Sequence, residues 1–242
     1  MAFLTLDRKG LGASLIMAGA LLLLGGAFVG IFFVLLMIYF LALSAIVTWM
    51  GMSRKKTLHL YQYDRSIGNV IANGGCPLIV ALIFFVLNNY SGVGEFAFLA
   101  VIAFIGSVAA ITADKFSSEM GVLDGMPRLI FTLRKVRRGV SGGVTSMGLL
   151  AGLFGSFLIS LSAFGFVGAS QLLFTQPPGS NFSIIAILSS IIVAGFVGTI
   201  VDSMLGYYEE KGFGNKFTSN FICSISGALV SVAVLLVLSP AL

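Results

Sequence analysis

The sequence predicts an all-α fold, a polytopic membrane bundle of about seven transmembrane helices with its N-terminus inside and its C-terminus outside. Three observations predict it. Of 242 residues, 58% are hydrophobic and 10% charged, whereas a soluble domain carries about 25% charged residues. Mean hydropathy is +1.07. The charges fall in patches, and the uncharged runs between them count the spans.

Gly10 to Ser53 is the first such run. As one helix at about 1.5 Å per residue it would extend roughly 66 Å, twice the ~30 Å of a bilayer core. It therefore holds two helices, 11–26 and 29–50, breaking near Gly25-Gly26. Leu21 to Leu24 and Phe32 to Leu36 read as lipid-facing scaffold or as a wall for a lipid substrate, and Trp49 as an interfacial anchor. Residues 1–30 resemble a signal peptide, with Arg8-Lys9 ahead of an apolar core, but without a clear cleavage site they read as a retained first helix. Ser66 to Gly94 and Phe96 to Ala113 supply one span each. Gly139 to Val201 supplies two, split by the turn from Gln176 through Pro177-Pro178 to Asn181, and Phe217 to Leu242 supplies the last.

Charge fixes the orientation. All 14 Lys and Arg lie in the N-terminus or in the loops near residues 53–66, 114–142 and 202–216, and of the nine acidic residues only Glu95 lies elsewhere. Cations gather on the cytoplasmic side of a membrane protein, which makes those segments cytoplasmic in a multi-pass protein of the cell membrane. The net charge of +5 follows from topology and anionic headgroups and asks for no nucleic acid. Cys76 and Cys223 read as packing residues. The one histidine, His59, lies in a basic loop, which excludes a histidine-ligated metal centre. The chain reads as one transmembrane domain over 1–242: two scaffold helices over 1–52, two helix hairpins over 66–216 forming a site at the cytoplasmic face, and a last helix over 217–242. A homo-oligomer is compatible with this reading.

The chemistry gathers between Ala113 and Thr145 and recurs near Asp202. The third span starts on Asn69, Asn73, Gly74, Gly75 and Pro77; either this is a cap with close-packing glycines, or Asn73 faces a polar site. The fourth delivers Asp114 at its inner end, where an anion opposes the helix dipole and favours a cation beside it, Lys115 or a metal. Asp114 with Ser118, and Lys115 with Glu119, stand four apart on shared faces. Asp114 and Glu119 converge only if the helix ends or bends, or if Lys115 pairs with Glu119. Arg134 to Arg138 reads as a positive-inside loop or a ligand site. Ser141-Gly142-Gly143 ahead of Thr145-Ser146 suits a nest of backbone N–H groups at a helix N-terminus. Gly148, Gly152 and Gly155 read as a helix-packing face. The sixth span returns Asp202, whereas Glu209 and Glu210 read as surface charges. The pairs Asn73-Gly74-Gly75 with Asp114 and Ser141-Gly142-Gly143 with Asp202 suggest two parallel hairpins around one site.

Ala72 to Gly75, Thr112-Ala113-Asp114 with Ser118 to Gly121, Ser141 to Thr145 and Gly198 to Gly206 together resemble the transmembrane protein 19 family, which includes the plant phytyl-phosphate kinase. The resemblance runs from about Gly68 to Ser226. Three features depart from it: Lys115 stands in place of a small hydroxyl residue, Arg137-Arg138-Gly139-Val140 in place of a Pro-x-Gly-Thr-like run, and Asn215 in place of an aspartate. The resemblance implies a kinase that phosphorylates a prenyl monophosphate, of phytyl or geranylgeranyl type, with CTP or another nucleoside triphosphate and Mg²⁺. It implies Asp114, Lys115 and Asp202 as catalytic and Asp114, Glu119 and Asp202 as metal ligands. Asn73, Arg137, Arg138, Ser141, Gly142, Gly143, Thr145, Ser203 and Asn220 would bind nucleotide and substrate, with the prenyl tail in lipid between spans. Such chemistry needs mainly positioning and charge neutralisation. Two other classes stay open: a CTP-dependent cytidylyltransferase making a CDP-lipid, and a transporter of a small solute or lipid. Confinement of charge to the inner boundary counts against the transporter.

Overall fold

The computed structural model describes residues 7–58, 67–90, 94–174 and 179–239. Seven α-helices are described: α1 Arg8–Gly25, α2 Ile31–Thr57, α3 Ile67–Tyr90, α4 Gly94–Gly121, α5 Ser146–Leu173, α6 Ile184–Glu209 and α7 Lys216–Leu238. They make six helical stretches long and apolar enough to cross a membrane, because a single π-helical turn, Gly26–Gly30, joins α1 to α2. Gly26 ends α1 with φ of +68°, a conformation a glycine adopts without strain. A Cβ on Gly25 would stand 2.4 Å from the Gly30 nitrogen, so only paired glycines let the chain turn this tightly. His59 and the Pro177-Pro178 turn lie outside the described residues.

The bundle is built round α4. In its candidate span 83% of the most apolar window is buried inside the protein, against 22–44% in the others. Helices α5, α6, α7, α3 and α2 all pack on it. Close approach comes from small residues, which is how helices gain contact where lipid offers no hydrophobic drive. A Cβ on Gly152 of α5 would meet the Ala113 carbonyl oxygen at 3.1 Å, and one on Gly227 of α7 the Gly106 carbonyl oxygen at 2.4 Å. The expected packing face of Gly148, Gly152 and Gly155 is thus pressed against α4 from Ala113 to Gly121. Phe33 of α2 stacks on Phe104 of α4, with ring centroids 3.9 Å apart.

Two connections shape the polar end. Between α4 and α5 the chain forms a small antiparallel hairpin, β1 Arg128–Leu129 against β2 Gly143–Val144, with Pro127 buried beneath it. Between α6 and α7 it turns on Gly212 and Gly214, both at positive φ, and Asn215 caps α7 through a capping box with Thr218. That short turn brings the start of α7 back beside the last turns of α6. The segment with Asn69, Asn73, Gly74, Gly75 and Pro77 forms the first turns of the span, and it is continuous helix there, not a separate cap. Pro77 has no N–H to donate to the Asn73 carbonyl four residues back.

Candidate functional site

One cavity of about 650 Å³ runs from the hairpin loop down between α1, α2, α3 and α4. Its polar end gathers nearly every residue the sequence singled out: Asn73, Asp114, Lys115, Glu119, Arg138, Ser141, Gly142, Gly143, Thr145, Asp202, Ser203 and Asn220. Arg137 is the exception; it is exposed and does not line the cavity. Away from the charged end the lining is apolar, with Ala18 and Leu21 of α1 and Val34, Met37 and Leu41 of α2; Leu15, also on this wall, is 66% exposed. A charged mouth and an apolar arm share one space.

The mouth has two electrostatic poles. At the first, Asp114 of α4 and Asp202 of α6 converge on Lys216, whose Nζ lies 2.5 Å from Asp202 Oδ2 and 3.8 Å from Asp114 Oδ2. The Asp202 side chain is 8% exposed, and its other oxygen, Oδ1, is buried without a hydrogen-bond partner. At the second pole, Glu119 of α4, 3% exposed, meets Lys115 Nζ at 2.5 Å and Lys55 Nζ at 2.6 Å. Thr48 donates its hydroxyl to the same carboxylate at 3.2 Å. Between α3 and α7, the Asn220 amide donates to Asn73 Oδ1 at 3.3 Å, leaving the buried Asn220 Oδ1 without a partner.

This geometry corrects three expectations. Glu119 does not join Asp114 and Asp202. The expected Lys115–Glu119 pair does form, but α4 stays helical to Gly121, and the five-residue offset turns Glu119 toward Lys55 of α2 rather than to Asp114. Among the described residues no three His, Cys, Asp or Glu side chains converge as metal ligands. The glycine-rich stretch is no open cradle either. The Gly143 N–H donates to the Val140 carbonyl, and Thr145 caps α5 by accepting from the Gly148 N–H. Asp124 accepts from the Met147 N–H at 3.3 Å, filling the helix N-terminus with a carboxylate of the chain itself. Gly142 has φ of +77°, and a Cβ there would stand 2.5 Å from the Tyr207 nitrogen, so this glycine docks the loop on α6. Finally, Glu209 and Glu210 are not plain surface charges. Glu209 accepts from the hydroxyls of Ser141 and Ser219, and Glu210 from the Ser141 N–H, tying loop, α6 and α7 together.

The Asp114–Asp202 pole suits a magnesium ion bound with phosphate. Mg²⁺ takes hard oxygen ligands and is often held by one or two carboxylates plus substrate phosphates, and Asp202 Oδ1 is a buried carboxylate oxygen without a partner.

The model for the family described as "Integral membrane protein DUF92" matches residues 1–234. The chain belongs to this family. It is 34% identical over 231 residues to the uncharacterized membrane protein MJ0933 of Methanocaldococcus jannaschii, covering 95% of this chain and 85% of that one. It is 30% identical over 221 residues to Protein PGR of Arabidopsis thaliana, covering 85% of this chain and 74% of the relative. No solved structure matches it.

In this DUF92 chain, sequence reasoning missed Lys216, Lys55 and Asp124 as site residues. Lys216 did carry a signal. It opens α7, and a cation in a helix's first turn opposes the dipole unless a carboxylate answers it. Lys55 carried none, since it lies in the last turn of α2 beside Lys56, where dipole and topology both favour cations.

Proposed function

We propose that the protein is a membrane phosphotransferase that adds a phosphate to a prenyl monophosphate, using CTP or another nucleoside triphosphate with Mg²⁺, at a site facing the cytoplasm. One observation carries this reading: a single cavity joins a pair of aspartates and several cations at its mouth to an apolar arm within the bundle. A soluble phosphorylated substrate would have no use for the arm. A lipid without a phosphate would have no use for the mouth.

In the proposed reaction an oxygen of the acceptor phosphate attacks the γ-phosphorus of the nucleotide. The bond from that phosphorus to the β–γ bridging oxygen breaks, and the nucleoside diphosphate leaves with the electron pair. The acceptor is already an oxyanion, so no side chain has to remove a proton. Phosphoryl transfer then asks the protein for position and for positive charge around the transferring group. Lys216 and Arg138, both lining the mouth, would meet phosphate oxygens. Asp114 and Asp202 would hold magnesium, which when bound would neutralise phosphate charge and help to orient the nucleotide. The positive-inside distribution of lysine and arginine supports a cytoplasmic mouth.

The test is purified protein with geranylgeranyl phosphate, Mg²⁺ and γ-labelled CTP. Label recovered in the lipid is the expected result. Label released as pyrophosphate would make the protein a cytidylyltransferase instead. No turnover with CTP or ATP would remove the phosphotransferase reading.

A further inference from the structure

Tyr207 and Tyr208 mark a depth. They close the apolar run of α6, and Glu209, Glu210 and Lys211 follow at once. Tyrosine at such a border sits at the level of the lipid headgroups. The tip of the hairpin loop, Ile130 to Leu133, is held at that level, because the Phe131 ring lies 5.1 Å from Tyr207 and 5.9 Å from Tyr208, centroid to centroid. Phe213 joins them from the turn between α6 and α7, its N–H donating to the Tyr208 carbonyl.

The tip is apolar and uncovered: Leu133 is 63% exposed, Phe213 71% and Phe131 45%. It is also tied in place. The Leu133 N–H donates to the Leu129 carbonyl and the Leu129 N–H to the Arg134 carbonyl. The Arg128 guanidinium donates to the Leu133 carbonyl at 3.0 Å. These bonds hold Leu133 at φ of +54°, the one non-glycine residue at positive φ among the described residues, a conformation its Cβ disfavours. Packing within the chain does not account for a leucine kept strained and facing outward. Backbone strain of this kind persists where a functional contact uses it.

Cations follow the tip directly. Arg134, Lys135 and Arg137 are all exposed, and no carboxylate among the described residues pairs with them. The loop's own acid, Asp124, is taken by the Gly125 and Met147 N–H groups. Water would solvate the cations but not the leucine and phenylalanine. A soluble anion such as a nucleotide would match the cations and leave the apolar tip bare. An anionic membrane surface answers both, since it offers phosphates beside acyl chains.

We propose that the hairpin tip is an interfacial anchor for anionic lipid. Phe131 and Leu133, with Phe213 beside them, enter the headgroup layer of the leaflet at the cavity mouth, and Arg134, Lys135 and Arg137 bind the phosphates of its anionic lipids. The base of the same loop, Arg138 to Gly143, lines the cavity, so the anchor sets the mouth at the membrane surface. What the cavity itself binds has no bearing on this contact.

The experiment uses the full chain in nanodiscs of phosphatidylcholine and phosphatidylglycerol, one or the other brominated on its acyl chains. Trp49 is the one tryptophan, so Trp49→Phe combined with Leu133→Trp leaves a single fluorescent reporter at the tip. Brominated lipid should quench the reporter, and aqueous iodide, which the neighbouring cations would draw in, should not. Brominated phosphatidylglycerol should quench at a lower mole fraction than brominated phosphatidylcholine. Replacing Arg134, Lys135 and Arg137 together by glutamine should lower this preference at least about fivefold, the worth of one cation near an anionic surface. A reporter quenched by iodide and untouched by brominated lipid would overturn the anchor. Equal quenching by the two lipids, or a preference that survives the triple substitution, would overturn the anionic-lipid site. CTP that shields the reporter from iodide, where brominated lipid does not quench it, would make the loop a nucleotide surface instead. Should Leu133→Trp fail to fold, Phe131→Trp, an exchange of one aromatic side chain for another, decides the same points.

Discussion

A lysine in the first turn of a helix works against the dipole, and Lys216 does so at the start of α7. What holds it there is the pair Asp114 and Asp202, which would otherwise face each other across α4 and α6 without a cation. The same three residues define what magnesium should do. A ligand that binds only the folded state raises stability by about 2.7 kcal/mol at a hundred times its Kd. Magnesium alone is therefore expected to raise the melting temperature of the purified protein, and Asp202→Asn to abolish the rise. In the assay with geranylgeranyl phosphate and CTP, Asp202→Asn should also lower turnover on the order of 10²–10³-fold, the scale seen when one preorganised electrostatic group is removed. A normal magnesium shift in folded Asp202→Asn would take Asp202 out of the metal site. Asp114 and Asp202 were both legible in the sequence, because each ends an apolar run with an unexpected anion. Their shared partner Lys216 carried only the signal of a cation at the start of a helix; which carboxylates answer it depends on a turn through Gly212 and Gly214 that carries no periodic signal.

At the scale of elements, the hairpin loop between α4 and α5 shows how a motif can be read in the right place with the wrong role. Ser141, Gly142 and Gly143 do line the mouth, but their backbone makes a turn and a docking contact. A nest was expected because successive glycines permit one; what the loop does instead depends on hydrogen bonds to Glu209 and Glu210 and on close packing against Pro127 and Tyr207. The two glycines should therefore differ. Gly142→Ala places a side chain at positive φ and against the backbone of α6 at 2.5 Å, whereas at Gly143 the nearest atom is Pro127 Cβ at 3.0 Å. Gly142→Ala is expected to lower the melting temperature clearly more than Gly143→Ala; equal effects would show that the loop does not dock through Gly142. Asp124 gives the loop a pH signature. Hydrogen bonds from the Gly125 and Met147 N–H groups, with smaller help from Thr145 and Arg138, hold its carboxyl below the ordinary carboxylate range. A depressed folded-state pKa means the contribution is fully present above the unfolded value of about 4 and is lost as pH falls through the folded value. Melting curves of the unaltered protein and Asp124→Asn should differ at neutral pH and converge at pH values below that window. A difference that persists there would assign the effect to packing.

Across the whole molecule, the uncharged runs located all seven helices, because a long apolar stretch in a chain this poor in charge has little choice but to span lipid. They located them with errors at the ends: α4 runs to Gly121, well past Asp114, and α2 to Thr57, past Ser53. Those added turns are where Lys115, Glu119 and Lys55 sit, so the polar mouth is built from helix ends that the count of apolar residues leaves out. The fold also fixes which segments share an end of the bundle. The cavity mouth takes residues from the end of α2, the C-terminal half of α4, the hairpin loop and the start of α7. Ser180, exposed between α5 and α6, lies at the far end of both helices. A cytoplasmic mouth therefore makes a single joint prediction. Cysteines at Lys56, Arg134 and Lys211 should react with an impermeant thiol reagent only when the cytoplasmic face is open to it, and a cysteine at Ser180 only from the opposite face. The native Cys76 and Cys223 are buried and should contribute little background. The reverse pattern at all four positions would keep the bundle intact and turn the mouth away from cytoplasmic nucleotide, ending the phosphotransferase reading. Labelling of Arg134 and Ser180 from the same side would strike deeper, because it would put the hairpin loop and the other end of α5 on one face of the membrane and so contradict the fold itself.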